Sequence, residues 1–315
     1  MPIVAFVVWA QIIGGALPPP LPLFPPTNWW NTDVSGAPVD PNSTTFINYI
    51  GATRKLHPDF GGDSDDGGIY GFPYVIVNAS QPRVPVIFDY ADESDPGPYP
   101  IPEEAKTETK WIEGGQPGNV DSDGDRHMLI VDRDNRIDYE LYDVRWTGSR
   151  WEAGSGAIFP LDSNARRPDG WTSADAAGLA ILPGLVRYDE AFGSDPIRHA
   201  FRVTVRNTNG YVFPASHRAG STAGALPMGA RLRLKADKDI SRFPAEVQRI
   251  FQAMKTYGLI VADNGSDMYI SGTYDTRWNN DVLNPAFASL TASDFDVVQL
   301  GWQPSVRGRA RAVRH

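Results

Sequence analysis

Thirty-eight acidic side chains and no cysteine define the chemistry open to this chain. Without thiols it has no disulfide, no cysteine-ligated zinc, no iron–sulfur cluster and no sulfur nucleophile. Carboxylates, histidines and aromatic rings remain. Hydrolysis of a glycosidic bond needs two carboxyl groups on either side of it, one of them with a raised pKa. Asp125, Glu140, Asp175, Asp189, Glu190 and Asp263 are candidates by residue type. Asp125-Arg126-His127 opens one such strand. Alternation sends Asp125 and His127 to one face and Arg126 to the other, and a histidine beside a carboxylate can act as a base or, when protonated, as an acid. Asp189 and Glu190 are adjacent at an expected strand end, so only one of them can face a cleft. The acid–base pair is expected from Asp125, His127, Glu140 and either Asp189 or Glu190. The structural alternatives are a hydrogen-bonded Asp–His pair at a strand end and a glutamate on the polar face of an exposed sheet.

The aromatic residues point the same way. Trp29, Trp30, Trp111, Trp171 and Trp278 fall in predicted loops, most beside amide, carboxylate or hydroxyl side chains. An indole face next to such groups has the make-up of a sugar subsite. Arg126, Arg187 and Tyr188 complete the expected substrate-binding set. The competing expectation is that some of these rings cover core edges under long loops. An elimination mechanism on a uronate would use Arg126, His127, Arg187, Tyr188 and Arg202, but an acidic protein needs a local basic cleft to hold an acidic polymer. His127, His199 and His217 near strand ends offer a third option, a metal-dependent and oxidative enzyme. No cofactor is expected otherwise. The acidic, glycine-rich segments 61–68 and 121–125 would suit a structural calcium ion, without the complete spacing of an EF-hand loop. GxSxG, Walker A, Rossmann and HExxH motifs are absent from the sequence.

A net charge of −9 repels phosphate backbones, so nucleic acid is not an expected partner. Residues 3–16 form an apolar run of signal-peptide length, too short to span a bilayer, and a proline-rich stretch follows. Residues 1–27 therefore read as an export signal or a stiff lead-in, residues 28–305 as one domain and residues 306–315 as a basic flexible tail. The expected setting is extracellular or periplasmic, with no membrane partner.

Thirty glycines and 27 prolines punctuate the chain and favour short strands over long helices. Strands are expected at 72–78, 84–90, 127–132, 138–146, 198–206, 211–214, 230–236, 259–263, 267–272 and 294–300. Asn209-Gly210 and Asn264-Gly265 read as hairpin turns. Residues 91–102, rich in proline and acidic groups, suit a binding loop. Asn42-Ser43 can cap a short helix. Val247, Ile250, Phe251 and Met254 mark one face of a longer helix that starts at Pro244 and ends before Gly258. The expected fold is mainly β: a sandwich or jelly-roll-like core of antiparallel strands with two or three peripheral helices.

Several stretches together carry a resemblance: Gly170-Trp171-Thr172-Ser173-Ala174-Asp175-Ala176-Ala177-Gly178-Leu179, Gly184-Leu185-Val186-Arg187-Tyr188-Asp189-Glu190 and Ala262-Asp263-Asn264-Gly265-Ser266. The chain resembles, over about residues 28–281, a group of secreted bacterial proteins with no established activity. That resemblance implies an extracellular setting and no catalytic residues. The sequence thus leads to a secreted carbohydrate-active protein, first a glycoside hydrolase on a polysaccharide. The alternative is a non-catalytic carbohydrate-binding or cell-surface protein.

Overall fold

The computed structural model describes residues 12–304. Strands dominate, in three sheets, with few helices around them. The first sheet has the order β1 (Ile12–Ile13), β3 (Tyr74–Val77), β5 (Met128–Asp132), β6 (Ile137–Tyr142), β9 (Ser155–Pro160). The second runs β14 (Phe295–Val297), β11 (Arg231–Leu234), β12 (Leu259–Asn264), β10 (Phe201–Val205), β13 (Tyr269–Ser271), β2 (His57–Asp59). The third, smaller sheet joins β4 (Val86–Phe88), β8 (Trp151–Ala153) and β7 (Arg145–Trp146). All three are mixed. β3–β5, β10–β12, β2–β13 and β4–β8 pair in parallel, so the expectation of wholly antiparallel sheets is corrected. The connections between these strands are long enough to return the chain to the same end.

Alternation along the first sheet explains how it is covered on both sides. Val75, Val77, Met128, Ile130, Tyr139 and Leu141 pack with Val86, Trp151 and Ala153 of the small sheet. The opposite face presents Tyr74, Leu129, Val131, Ala157 and Phe159 to the main core, which it shares with Val203, Leu232, Val261 and Ile270 of the second sheet.

Four helices flank the sheets among the described residues: α1 (Ser43–Ile50), α2 (Tyr188–Ala191), α3 (Ala245–Thr256) and α4 (Asn280–Phe287). In α3 the expected face is the buried one, Val247, Ile250, Phe251 and Met254. Gly258 follows at φ +75°, and a Cβ there would lie 2.4 Å from the Leu232 carbonyl, so the helix stop needs glycine. Segments 1–11 and 305–315, which carry most of the apolar run at 3–16 and all of the basic tail, lie outside the described residues. Ile12 and Ile13, at the end of the apolar run, pair with β3. Among the described residues no helix is long and apolar enough to cross a membrane.

Candidate functional site: an acidic cleft between the two large sheets

The cleft forms where the two large sheets end side by side. It depends on a single irregularity between β10 and β12. Arg202 pairs with Ile260 and Val203 with Val261, but Thr204 pairs with Asp263, so Ala262 is an extra residue. Paired residues share a face, and regular alternation would put Asp263 on the face opposite Arg202 and Thr204. The bulge moves it onto theirs.

Arg202 is the hub of this face. Its Nε and Nη2 donate to both oxygens of Asp175, at 2.9 and 2.8 Å, and Nη1 donates to Ser271 Oγ at 2.8 Å. Nη2 also reaches Asp263 Oδ2 at 2.9 Å. The bidentate partner, Asp175, is fully buried and neutralises the guanidinium. Asp263 is the second carboxylate on an already satisfied cation. Burial pushes its pKa up, Arg202 offsets part of that rise and Asp175 adds to it, which leaves the group at about 6.

Asp263 opens on a cavity of about 390 Å³, lined also by Tyr90, Glu93, Asp125, Tyr142, Thr172, Ser173 and His217. Asp125 lies at the exposed rim before β5, and Tyr142 ends β6. Glu93 comes from the short helical turn Ala91–Glu93, and its Oε2 accepts from the Thr172 amide at 3.0 Å. The segment 171–178 forms one wall and is clasped from both sides. Ala177 N donates to Ala262 O at 2.9 Å, Ser216 N to Ala177 O at 3.0 Å, and Ser155 Oγ to Ser173 O at 2.6 Å. Gly178 sits at φ +71°, and a Cβ there would lie 2.0 Å from Ser216 Oγ, so the clasp closes only on glycine.

The three internal histidines fare differently. His127 is buried, with Nδ1 2.5 Å from Glu113 Oε2 and Nε2 2.9 Å from the Ala174 carbonyl. Burial disfavours its charge, but the Glu113 carboxylate outweighs that and raises its pKa to about 9. It is an imidazolium that ties β5 to the cleft wall, with no nitrogen left for a substrate. His199 binds Ala200 O through Nδ1 and Glu190 Oε2 through Nε2, both at 2.9 Å. His217 donates from Nδ1 to Ala176 O at 2.8 Å. Its Nε2 lies 3.8 Å from Glu93 Oε2, and both residues line the cleft. The three do not converge. Among the described residues no group of three or more His, Asp or Glu side chains is arranged to hold a metal ion.

Other expected site residues sit elsewhere. Glu140 projects into the main core, fully buried, and accepts from the Ile181 and Leu182 amides at 2.8–2.9 Å. The expectation of an exposed polar face fails because this sheet is covered on both sides. Its neighbour on that face, Asp138, is also sealed, with the Glu140 carboxyl beside it. Burial, then the Glu140 carboxyl beside it, drives the Asp138 pKa well up. Burial raises Glu140 to about 7 against the pull of the two amides. The pair holds a proton inside the protein.

Asp189 and Glu190 begin α2 rather than ending a strand, and they line a separate depression. Glu190 is engaged by Arg187 and His199. Arg126 is buried and donates to the carbonyls of Val144 and Pro117. Trp30 is fully buried, and Trp29, Trp111 and Trp278 are nearly so. Trp171 is half-buried, with the Arg167 guanidinium 5.4 Å from its ring. Tyr188 stacks on Phe192 at 4.2 Å. The five indoles therefore do not gather in one groove. The cleft's aromatic rings are Tyr90 and Tyr142. Of the calcium-like segments, Asp63 is held by Lys110 and Tyr274, and Asp121 by Arg145.

No family model matches the chain, and neither a curated protein nor a solved structure is similar to it.

Proposed function

We propose that the protein is a glycoside hydrolase whose proton donor is Asp263, acting on a neutral or amino-bearing polysaccharide. One observation carries this reading: a carboxyl raised to about 6 opens on a polar cleft that Asp125 and Glu93 also line. Protonated Asp263 gives its proton to the glycosidic oxygen as the C–O bond breaks. Asp125 supplies the opposing carboxylate that stabilises the oxocarbenium-like transition state and takes the proton from attacking water. His217 Nε2 and Glu93 orient hydroxyl groups, and Tyr90, exposed at the mouth, gives a sugar ring an apolar face. No lysine or arginine lines the cleft among the described residues, so a uronate would meet only like charge; this disfavours the lyase alternative. A non-catalytic carbohydrate-binding protein would use the same cleft without needing the raised carboxyl. The apolar run at 3–16 supports an exported protein.

The test is release of reducing ends from a panel of neutral, amino-bearing and uronate polysaccharides. Hydrolysis should rise as pH falls toward 6 and fall by about 10²- to 10⁴-fold in Asp263→Asn. Binding without release in the wild type would reduce the protein to a carbohydrate-binding module.

A further inference from the structure

A second cavity lies at the start of β11 and shares no lining residue with the acidic cleft. Arg231, on that strand, is 92% buried and lines it. Its guanidinium donates to three carbonyls: Trp29 O at 2.5 Å, Thr32 O at 3.2 Å and Tyr257 O at 3.2 Å. Among the described residues no carboxylate pairs with it. Arg202 shows the contrast, with a bidentate aspartate and a second one beside it. Carbonyl dipoles, including that of Tyr257 at the end of α3, orient the guanidinium and offset part of its charge. They do not cancel a full unit of charge taken out of water, which costs several kcal/mol unless an anion accompanies it. Burial alone lowers the Arg231 pKa to about 9, with no neighbouring charge to restore it.

The same cavity holds a second unmet group. Trp29, 91% buried, lines it, and its indole N–H has no acceptor among the described residues. A buried donor without a partner is rare and costs about 1–3 kcal/mol. Phe213, edge-on to Trp29 at 6.1 Å, and Trp302 give the cavity apolar walls. Its volume is about 40 Å³, roughly three water positions, which is room for the three heavy atoms of a carboxylate group.

We infer that this cavity is an anion-binding site, with Arg231 and the Trp29 N–H as donors, built for a carboxylate group carried on a small apolar body. The carboxylate supplies the missing negative charge and the missing acceptor together, and the apolar body of the ligand stays outside the cavity, against the partly exposed rim that Phe213 and Trp302 form. The inference is independent of the hydrolase reading, since none of these residues belongs to the acidic cleft.

The experiment is calorimetric titration and thermal shift of the full chain with benzoate, acetate and phosphate, against chloride at matched ionic strength. Saturable binding of benzoate is expected, tighter than acetate and absent for phosphate. Trp29→Phe, which keeps the ring and removes the donor, should weaken it severalfold, and Arg231→Gln at least tenfold. If Arg231→Gln does not fold, the Trp29→Phe result and the wild-type titration still decide. No saturable carboxylate binding, phosphate binding as well as benzoate, or benzoate affinity unchanged in the folded variants would each overturn it.

Discussion

Asp263 and Glu140 are both carboxyl groups whose pKa burial has raised, in two very different settings. Asp263 stands at about 6 at the wall of an open cleft, and Glu140 at about 7 in the sealed core beside Asp138. By pKa alone the core pair is the better general acid. By access it is none, because both side chains are fully buried and the Glu140 oxygens are spent on the Ile181 and Leu182 amides. A perturbed pKa marks a functional group only where a substrate can reach it. In the core the same perturbation fastens a strand to a turn.

That distinction can be broken by mutation. The largest effect expected is on hydrolysis: Asp263→Asn should lower kcat by about 10²- to 10⁴-fold, whereas Glu140→Gln should leave kcat per folded molecule near wild type. Equal losses in both, measured on folded protein, would erase the contrast. Next, Arg202→Met leaves Asp175 buried without its cation and should cost about 3–5 kcal/mol in chemical denaturation. A loss below about 1 kcal/mol would mean that Arg202 is not the hub. Smaller again is the pH signature of the core pair. Its folded pKa values lie above the unfolded ones, so the native state binds the proton more tightly. Stability is then fullest below the unfolded value near 4.5 and is lost as pH rises through about 7. Asp138→Asn should flatten that loss, by about 1–3 kcal/mol between pH 4.5 and 7, as read from denaturation curves at each pH. The smallest expected effect is at the cleft mouth, where Tyr90→Ala should weaken oligosaccharide binding by about 0.5–1.5 kcal/mol with kcat almost unchanged.

Local signals read well from the sequence and long-range ones did not. The antiparallel pair β5–β6 and the apolar face of α3 follow from alternation and helical spacing within one stretch. Asn264-Gly265 reads as a hairpin between β12 and β13, yet β10, some 60 residues earlier in the chain, inserts between them and pairs in parallel with β12. No turn signal reports such an insertion. The strands expected at 72–78 and 84–90, close in sequence, are likewise not partners, since β3 and β4 belong to different sheets. At the site, Asp125 and Asp263 stood among six similar carboxylates, because burial and partners decide their roles and neither is local. Glu93 lies in the proline-rich loop that the composition marked for binding. His217 was visible only as one of three histidines. Glu113 had no signal at all: its importance is the contact with His127, 14 residues away. The indoles misled because tryptophan beside polar residues also seals a core edge under a loop.

The unpaired alanine between β10 and β12 makes the parity of one strand a switch for the whole cleft. Pairing Ala262 with Thr204 would restore unbroken alternation across that pair, and the next acidic group would turn away from the guanidinium onto the face of Val203 and Val261. The same chain, its strand unbulged, would still have its sheets and its depression, but no proton at the mouth.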